Sequence, residues 1–364
     1  MKFKKITLAL LMSTPALLLA ACGNDSKEKQ APNNLSYVDE TGQEQTLVVE
    51  KTNDKLAINN ALNALNYNSS REEIKTQYKS ITGAKITSDL DLDFESVEKS
   101  DEGKVSIDLD GDGSVKGTID FTNEQFDLSC NVSVDNSEKY SANGLSMKTT
   151  SKSSTNIQVR NNSKYVFLDG EANSKSTMFG QSHVEKQPIK NYIELSNPVS
   201  GEEIDLNEYF KYIYEDDSVS LDALYDSFYE LNKLDEITIS KTTEKKITFE
   251  FDSSKLFNGS ETTDENSMFD FVESQLPFDF DFSLYMYVSI DTETFLISDF
   301  GFECSEKINL DDEEYGSTGS GKISIDFDFS IEYGQYSVDN SNIKVSDYEK
   351  FDMDFDDLDM GFDF

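Results

Sequence analysis

"VSIDLDGDGSVKGTIDF", Val105–Phe121, alternates apolar and polar residues on both sides of a glycine-rich centre. In an extended chain, Val105, Ile107 and Leu109 lie on one side, and the intervening serine and aspartates lie on the other. This period of two is typical of a β-strand with one face toward an apolar core and one toward water. The stretch therefore predicts an antiparallel sheet with one apolar and one acidic face.

The same alternation recurs in the segments before and after this stretch. Apolar residues occupy every second position in 126–134, 282–290 and 323–333, and all but one of these positions in 86–94 and 296–304. Each of these segments is long enough for a strand of ordinary length. We therefore expect the sheet to contain strands from both halves of the chain.

Helical spacing of apolar residues occurs in four other segments, 55–66, 70–81, 204–234 and 268–276. Amphipathic helices of this kind bury one stripe against a neighbouring element, and Ser70 with Glu73 predicts a capping box for the second. Long antiparallel meanders with helices grouped apart from them are typical of α+β folds. The order of the segments therefore predicts an α+β fold with a large antiparallel sheet packed against a few helices.

The centre of the opening stretch, Asp108-x-Asp110-x-Asp112 followed by glycine, matches the first half of a calcium-binding loop. The position that should hold a bidentate glutamate is Ile119, and the flanks have strand rather than helix periodicity. We interpret 111–114 as a tight turn between two strands, because glycine tolerates positive φ angles. Weak calcium binding by the three aspartates is the alternative, and no other cofactor is indicated.

The first 21 residues have the layout of an export signal, with three lysines before an apolar run over 6–19. The run is short for a membrane span, and it ends in "LAAC" (19–22), which resembles the lipobox of bacterial lipoproteins. The resemblance implies cleavage before Cys22 and a diacylglyceryl thioether on its sulfur. Two acyl chains are enough for stable anchoring. It therefore predicts a protein anchored by lipidated Cys22 to the extracytoplasmic face of the bacterial cell membrane.

Composition and charge narrow the class of protein further. Acidic residues number 71 against 32 basic ones, for a formal net charge of −39. Such a surface repels nucleic acid, so nucleic-acid binding is excluded. After the signal, the polar segment 22–45 predicts a flexible tether, and 46–348 predicts a single domain. The acidic-aromatic segment 349–364 predicts a tail that is an edge strand or disordered.

No catalytic motif stands out. His183 is the only histidine, and there is no Gly-x-Ser-x-Gly, phosphate-binding or Cys-x-x-Cys motif. We therefore predict that the protein is not an enzyme. Cys130 and Cys304 both fall on the apolar phase of a predicted strand, so they either form a disulfide or remain two buried thiols.

"YVSIDTETFLISDF", Tyr287–Phe300, together with the lipobox and the paired helices before a strand meander, resembles bacterial lipoproteins of the LolA/LppX-like group. The resemblance covers about residues 54 to 345. It implies that the sheet is curved into a half-open barrel that wraps around helices and leaves an apolar cleft. No site residue carries over from the group.

The resulting hypothesis is a non-enzymatic lipoprotein whose sheet concavity binds an apolar ligand such as a lipid. The alternative is an acidic surface protein that binds calcium or a cationic partner. No particular protein partner is indicated. The candidate ligand-binding residues are the large apolar residues on one face of the C-terminal strands: Phe282, Met286, Phe300, Phe302, Phe327 and Phe329.

Overall fold

The computed structural model describes most of the chain after the predicted signal and tether. The described residues are 30–38, 42–100, 103–195, 228–229, 231–232, 237–252, 278–312 and 317–351. The predicted signal peptide, Cys22 and the predicted helix over 268–276 lie outside them. Of the predicted helical segment 204–234, only 228–229 and 231–232 are described, and these four residues are helical.

Strands dominate the described residues. The helices are α1 (Lys55–Ser69) and α2 (Glu72–Tyr78), and neither is long and apolar enough to cross a membrane. A small sheet contains β1 (Asn33–Val38) and β2 (Glu44–Val49). The large sheet contains β3 (Gly83–Ser100), β4 (Gly103–Asp120), β5 (Gln125–Ala142), β6 (Leu145–Asn161), β7 (Tyr165–Met178), β8 (Gln181–Glu194), β9 (Ile237–Thr242), β10 (Lys246–Asp252), β11 (Phe278–Asp291), β12 (Ile297–Asp312), β13 (Ser317–Gly334) and β14 (Glu349–Lys350).

The large sheet has the order β14-β8-β7-β6-β5-β4-β3-β13-β12-β11-β10-β9, and only the β14–β8 pair is parallel. Consecutive strands from β3 to β8 form one meander, and consecutive strands from β9 to β13 form another. The first strand of the first meander pairs with the last strand of the second, from Gly83↔Gly334 to Lys99↔Thr318. This long pairing joins the two meanders into one sheet.

The predicted antiparallel sheet is confirmed, but the predicted α+β balance is wrong, because the described residues form a twelve-stranded and a two-stranded sheet against α1, α2 and the four helical residues 228–229 and 231–232. Hydrophobic alternation in the sequence did not indicate the full length of the strands β6, β7 and β8. Their serines and threonines lie on both faces and give little hydrophobic alternation. They are nevertheless paired along most of their lengths, because backbone hydrogen bonds do not depend on the side chain.

The predicted turn at 111–114 is also wrong. Strand β4 continues through these residues without a break, with Gly111 opposite Leu92 and Gly113 opposite Leu90. The strand β5 pairs with β4 on the other side, so both edges of this glycine-rich segment are hydrogen-bonded. At about 3.3 Å per residue, a strand of 18 residues is about 60 Å long.

The polar segment 22–45 is not a tether throughout, because β1 and the start of β2 lie within it. Leu35 is buried, and the Asn33 side-chain amide donates to the Thr243 carbonyl oxygen at 2.8 Å and to Thr292 Oγ1 at 3.0 Å. Any tether therefore ends before residue 30. The predicted tail, an edge strand or disordered, begins as an edge strand, because β14 pairs with β8 at the edge of the large sheet; residues 352–364 lie outside the described part.

The main core lies at one end of the large sheet. Asp54 caps α1 by accepting from the Ala57 amide at 2.8 Å. The buried stripe of α1 lies between the small sheet and the β9–β11 end of the large sheet. The members of this core are Leu35, Val49, Ile58, Ala61, Leu62, Ala64, Leu65, Phe228, Ile237, Ile239, Ile247, Phe249, Ile290 and Phe295.

The segment between β13 and β14 fastens the ends of β4, β5 and β6. Asp120 Oδ2, at the end of β4, accepts from the Val338 amide at 3.1 Å. The Asn340 side-chain amide donates to the carbonyl oxygens of Phe126 at 2.9 Å and of Asn161 at 2.8 Å. This segment therefore replaces missing backbone partners where the strands end.

Asp120 generates a stability prediction. It accepts from Val338, from the amides of Thr122 and Asn123, and from the Asn123 side chain. Burial alone would raise the pKa of Asp120, but these hydrogen bonds lower it. A lowered pKa in the folded state gives stability that is present above the unfolded pKa of about 3.9 and is lost as the pH falls.

We expect Asp120→Ala to lower the free energy of unfolding at pH 7 by about 2–4 kcal/mol, because it leaves several buried donors unpaired. Urea unfolding at pH 7 and at pH 3 measures this, and the effect should shrink at pH 3. The control is Asp108→Ala on the exposed part of the same strand. Equal midpoints for the two variants would contradict the assignment.

Candidate functional site

The alternation along the central strands gives the large sheet two chemically different faces. Leu90 on β3 lies in register with Phe327 on β13, and Phe327 lies in register with Phe302 on β12. The side of the sheet that carries these residues is called the apolar face. Its central members on β3, β12 and β13 are Leu90, Leu92, Phe302, Ile325, Phe327 and Phe329. The other side carries the aspartates of β3, β4 and β13 and is called the acidic face.

The structure brings five of the six candidate ligand-binding residues together on the apolar face. Met286 on β11 lies opposite Phe302, which lies opposite Phe327. Phe300 lies opposite Phe329 in the next row of this face. The sixth candidate, Phe282, belongs to β11, but its side chain lies outside the described part of the structure.

The aromatic rings of this cluster contact one another. Ring centroids are 4.9 Å apart for Phe300 and Phe329, 5.7 Å for Phe300 and Phe327, and 5.1 Å for Phe302 and Phe327. These separations fall in the range favoured for aromatic pairs. Phe327 is only 5% exposed, whereas Phe300 is 37% exposed. The cluster is therefore buried at its centre and open to solvent at Phe300.

Two glycines open a furrow beside the cluster. Gly113 lies between Leu90 and Val132, and Gly111 lies between the corresponding residues one row further along. A Cβ atom at Gly113 would lie 3.6 Å from the Leu90 Cβ, and one at Gly111 would lie 3.7 Å from the Leu92 Cβ. Both are ordinary contact distances, so the furrow has room for added atoms. Sequence reasoning missed it, although both glycines share the odd-numbered apolar phase of β4.

A serine and a glutamate interrupt the apolar face on the central strands β3 and β12. Ser88 lies between Phe329 and Val115 in the register, and its buried hydroxyl has no hydrogen-bond partner within the described structure. Glu306 on β12 shares this face, and burial raises the pKa of its carboxyl. A buried hydroxyl without a partner costs about 1–3 kcal/mol, so Ser88 is a candidate contact for a polar atom of a ligand.

Cys130 and Cys304 are free thiols on the apolar face. Strands β4, β3 and β13 separate β5 from β12, so the two cysteines are about 19 Å apart across the sheet. A disulfide requires Cα atoms within about 7 Å, so this pair cannot form one within the sheet. Burial raises the pKa of both thiols, which keeps them protonated.

The acidic face carries aspartates in register on adjacent strands. Asp91 lies between Asp112 and Asp326. Burial, followed by repulsion from Asp112, raises the pKa of Asp91. Loss of hydration, followed by repulsion from Asp112, also raises the pKa of Asp110. The carboxylates therefore crowd one another.

The calcium candidates Asp108, Asp110 and Asp112 alternate along the continuous strand β4. Residues two apart on a strand lie about 7 Å apart, so these three carboxylates do not converge as they do in a calcium loop. Within the described ranges, no group of three or more His, Cys, Asp or Glu side chains is placed to hold a metal ion. Calcium binding stays a prediction.

A tyrosine on the acidic face ties β11 to β13 across β12. Tyr287 Oη donates to Asp328 Oδ1 at 2.5 Å, and Gly301 lies between them in the register. A Cβ at Gly301 would overlap the Phe327 carbonyl oxygen and would lie 2.5 Å from Tyr287 Cε1. Glycine is therefore required at position 301, because a side chain there would block the Tyr287 ring from reaching Asp328. Burial, and then the hydrogen bond to Asp328, raises the pKa of Tyr287.

A separate cleft of about 320 Å³ lies between the small sheet and the helices. Its lining is largely polar, and Arg71 within it already contacts Glu73 at 3.2 Å and Asn68 at 3.3 Å. The cleft is distant in sequence and sheet position from the apolar face. It does not share the chemistry of the candidate site.

Comparison with known proteins identifies no family. No family model matches the chain, and no curated protein matches it. Among solved structures, the translocator domain of the autotransporter NalP from Neisseria meningitidis aligns with 74% of this chain and 96% of its own, at 6% identity and a TM-score of 0.13. A TM-score this low does not establish a shared fold.

An alanine substitution should affect stability differently at Gly301, where neighbouring atoms are too close for a Cβ, and at Gly111, where there is room for one. Gly301→Ala should lower the free energy of unfolding by about 1–3 kcal/mol, because the added methyl group overlaps backbone and ring atoms. Gly111→Ala should leave it unchanged or raise it by about 0.4–1 kcal/mol, since the methyl group has room. Urea denaturation of both variants measures the difference. Equal effects would show that the Tyr287–Asp328 crossing is not as described.

The crowded aspartates predict a pH-dependent gain in stability. A folded-state pKa above the unfolded value means that the ionised form is destabilising, and this penalty grows as the pH rises through the folded pKa. Asp91→Asn should therefore raise Tm at pH 7 by roughly 1–4 °C, with the gain disappearing below about pH 4.

The matched control for this prediction is Asp299→Asn, because Asp299 contacts Lys246 Nζ at 3.0 Å. Removing that charge should lower Tm at pH 7. Differential scanning calorimetry at about pH 7 and pH 3.5 gives both values. A drop in Tm for Asp91→Asn at pH 7 would contradict mutual repulsion on the acidic face.

Proposed function

We propose that this protein is a lipid-anchored, extracytoplasmic, non-enzymatic protein that holds an apolar ligand, such as a lipid acyl chain, against its apolar face. The observation that carries the proposal is the contiguous cluster on β11, β12 and β13. Met286, Phe300, Phe302, Phe327 and Phe329 share one face there, and Phe300 is 37% exposed. A contiguous apolar cluster that is open to solvent at one side is a feature of binding sites.

The surroundings of the cluster suit an apolar chain rather than a charged one. The apolar phases of β3, β4, β5 and β13 contain no lysine or arginine. The furrow at Gly111 and Gly113 separates the side chains of β3 from those of β5, whose strands are about 10 Å apart. An extended acyl chain lying along β4 would contact leucine on one side and valine on the other.

Ser88 gives the ligand an orientation. It lies one row from the furrow on the apolar face, because Ser88 is in register with Val115 and Leu90 is in register with Gly113. A carboxyl or ester oxygen placed beside Ser88 would satisfy its unpartnered hydroxyl. The polar end of the ligand would then lie near Ser88, and the hydrocarbon would extend toward Leu92.

The anchoring and the curvature are also part of the proposal. The lipobox-like residues 19–22 support acylation of Cys22, and the described body begins at residue 30, which leaves a short connection. The resemblance to LolA/LppX-like lipoproteins supports a curved sheet whose apolar face is concave. The protonated thiols of Cys130 and Cys304 are poor nucleophiles, which supports a binding role rather than a catalytic one.

A second candidate function is the binding of calcium or a cationic partner by the acidic face. It is favoured by the row that contains Asp91, Asp112 and Asp326, where added positive charge would relieve repulsion. Thermal melts in CaCl₂ and in NaCl at equal ionic strength separate specific binding from screening. A larger rise in Tm with CaCl₂ supports this function, and equal rises count against it.

Binding of a fluorescent fatty acid to the purified protein tests the leading proposal. Phe300→Ser should raise the dissociation constant about tenfold or more, because a large apolar contact is lost. Gly113→Val should weaken binding too, since it fills the furrow. The control is Glu303→Gln, on the same strand as Phe300 but on the acidic face.

Native mass spectrometry of the same samples shows whether a lipid copurifies. The proposal predicts a ligand-bound species that is depleted in Phe300→Ser and retained in Glu303→Gln. Ligand-free wild-type protein that takes up no fatty acid would contradict it. So would equal affinities of the three variants.

A further inference from the structure

The hairpin tips at one end of the large sheet expose large apolar side chains. We call residues 138–148 and 175–186, at the β5–β6 and β7–β8 turns, the tip surface. Leu145 is 77% exposed and Phe179 is 76% exposed. The exposed apolar residues of the tip surface are Tyr140, Leu145, Met147, Met178, Phe179 and Val184.

The β7–β8 turn holds Phe179 in an unfavourable backbone conformation. Phe179 has φ of 51° and Gly180 has φ of 76°, which are the angles of a two-residue turn with both central residues left-handed. The neighbouring β5–β6 turn uses Asn143 and Gly144, which suit these angles. A bulky residue costs about 1–2 kcal/mol there. The turn therefore displays an aromatic ring to solvent at a cost in stability.

Lysines in and beside the tip surface lie directly opposite one another. Lys139 pairs with Lys148; Lys152 also lies opposite Lys175, but its ammonium forms an ion pair with Asp135. Like charges in such pairs are destabilising. The tip surface has four lysines against two glutamates, in a chain with 71 acidic and 32 basic residues. It is thus a local positive region on a strongly negative protein.

We propose that the tip surface binds the surface of an anionic phospholipid bilayer. Phe179 and Leu145 would enter the interface, and lysines such as Lys148 would contact lipid phosphates. Apolar side chains flanked by lysines are the combination that binds anionic interfaces. Binding to the bilayer would offset both unfavourable features. The Phe179 ring would leave water, and the facing lysines would gain negative charges from the lipid phosphates.

The acidic face does not prevent this contact. The nearest aspartate of the acidic face on β4, Asp108, lies opposite Ser137, which is five residues from Ala142 at the tip, or about 17 Å along the strand. Charges separated by more than about 8–10 Å are largely screened at physiological ionic strength. The tips also lie at the opposite end of the strands from α1 and its core. The inference uses neither Cys22 nor any residue of the proposed ligand site.

A single-tryptophan reporter tests the inference, because the chain contains no tryptophan. The protein is the chain from Gly23 onward, which keeps every described residue and lacks Cys22. Leu145→Trp places the reporter on the tip surface, and Leu56→Trp, 68% exposed on α1, is the matched control. Vesicles of brominated phosphatidylcholine and phosphatidylglycerol should quench and blue-shift only the first reporter. Zwitterionic vesicles or high salt should weaken this response.

Two further changes in the Leu145→Trp background separate membrane binding from a purely structural role of the turn. Phe179→Asn should raise Tm, because asparagine tolerates positive φ, and should lower vesicle affinity about tenfold. Lys139→Glu with Lys148→Glu should remove the preference for anionic vesicles. Equal quenching of the two reporters, unchanged affinity in Phe179→Asn, or self-association without lipid that Phe179→Asn abolishes would each overturn the proposal.

Discussion

The pairing of β3 with β13 is the constraint on which the rest of the structure depends. It joins two meanders that are far apart in sequence, and it runs from Gly83↔Gly334 to Lys99↔Thr318. Because side chains alternate with a period of two, a slip of one residue would exchange the apolar and acidic faces. This register places Leu90 opposite Phe327 and Asp91 opposite Asp326, so that both faces continue from one meander to the other.

Much of the sheet could be predicted from local alternation, and so could the helix over 55–66, which the structure extends to Ser69. The glycine-rich centre of β4 could not. A short window suggests a turn there, but β3 and β5 hydrogen-bond to both of its edges. The predicted capping box at 70–73 was also wrong, because the Ser70 hydroxyl donates to the Tyr67 carbonyl oxygen instead.

The candidate site could likewise be predicted only in part from the sequence. Alternation placed Met286, Phe302 and Phe327 on one face, but only the strand order makes them neighbours across three strands. Contacts between distant segments, such as Tyr287 with Asp328, leave no local pattern to recognise. The faces, by contrast, follow from the sequence alone. One is suited to hydrocarbon and the other to cations, and the hairpin tips add a third chemistry at the end of the sheet.

Hydrogen exchange in the centre of β4 is the most direct measurement, because the apolar furrow exists only if this strand is unbroken. A continuous strand predicts that the amides of 111–114 are protected to the same extent as those of 105–109, and far more than those of the turn at Asn143 and Gly144. Exchange at 111–114 as fast as in that turn would contradict the continuous strand, and with it the apolar face.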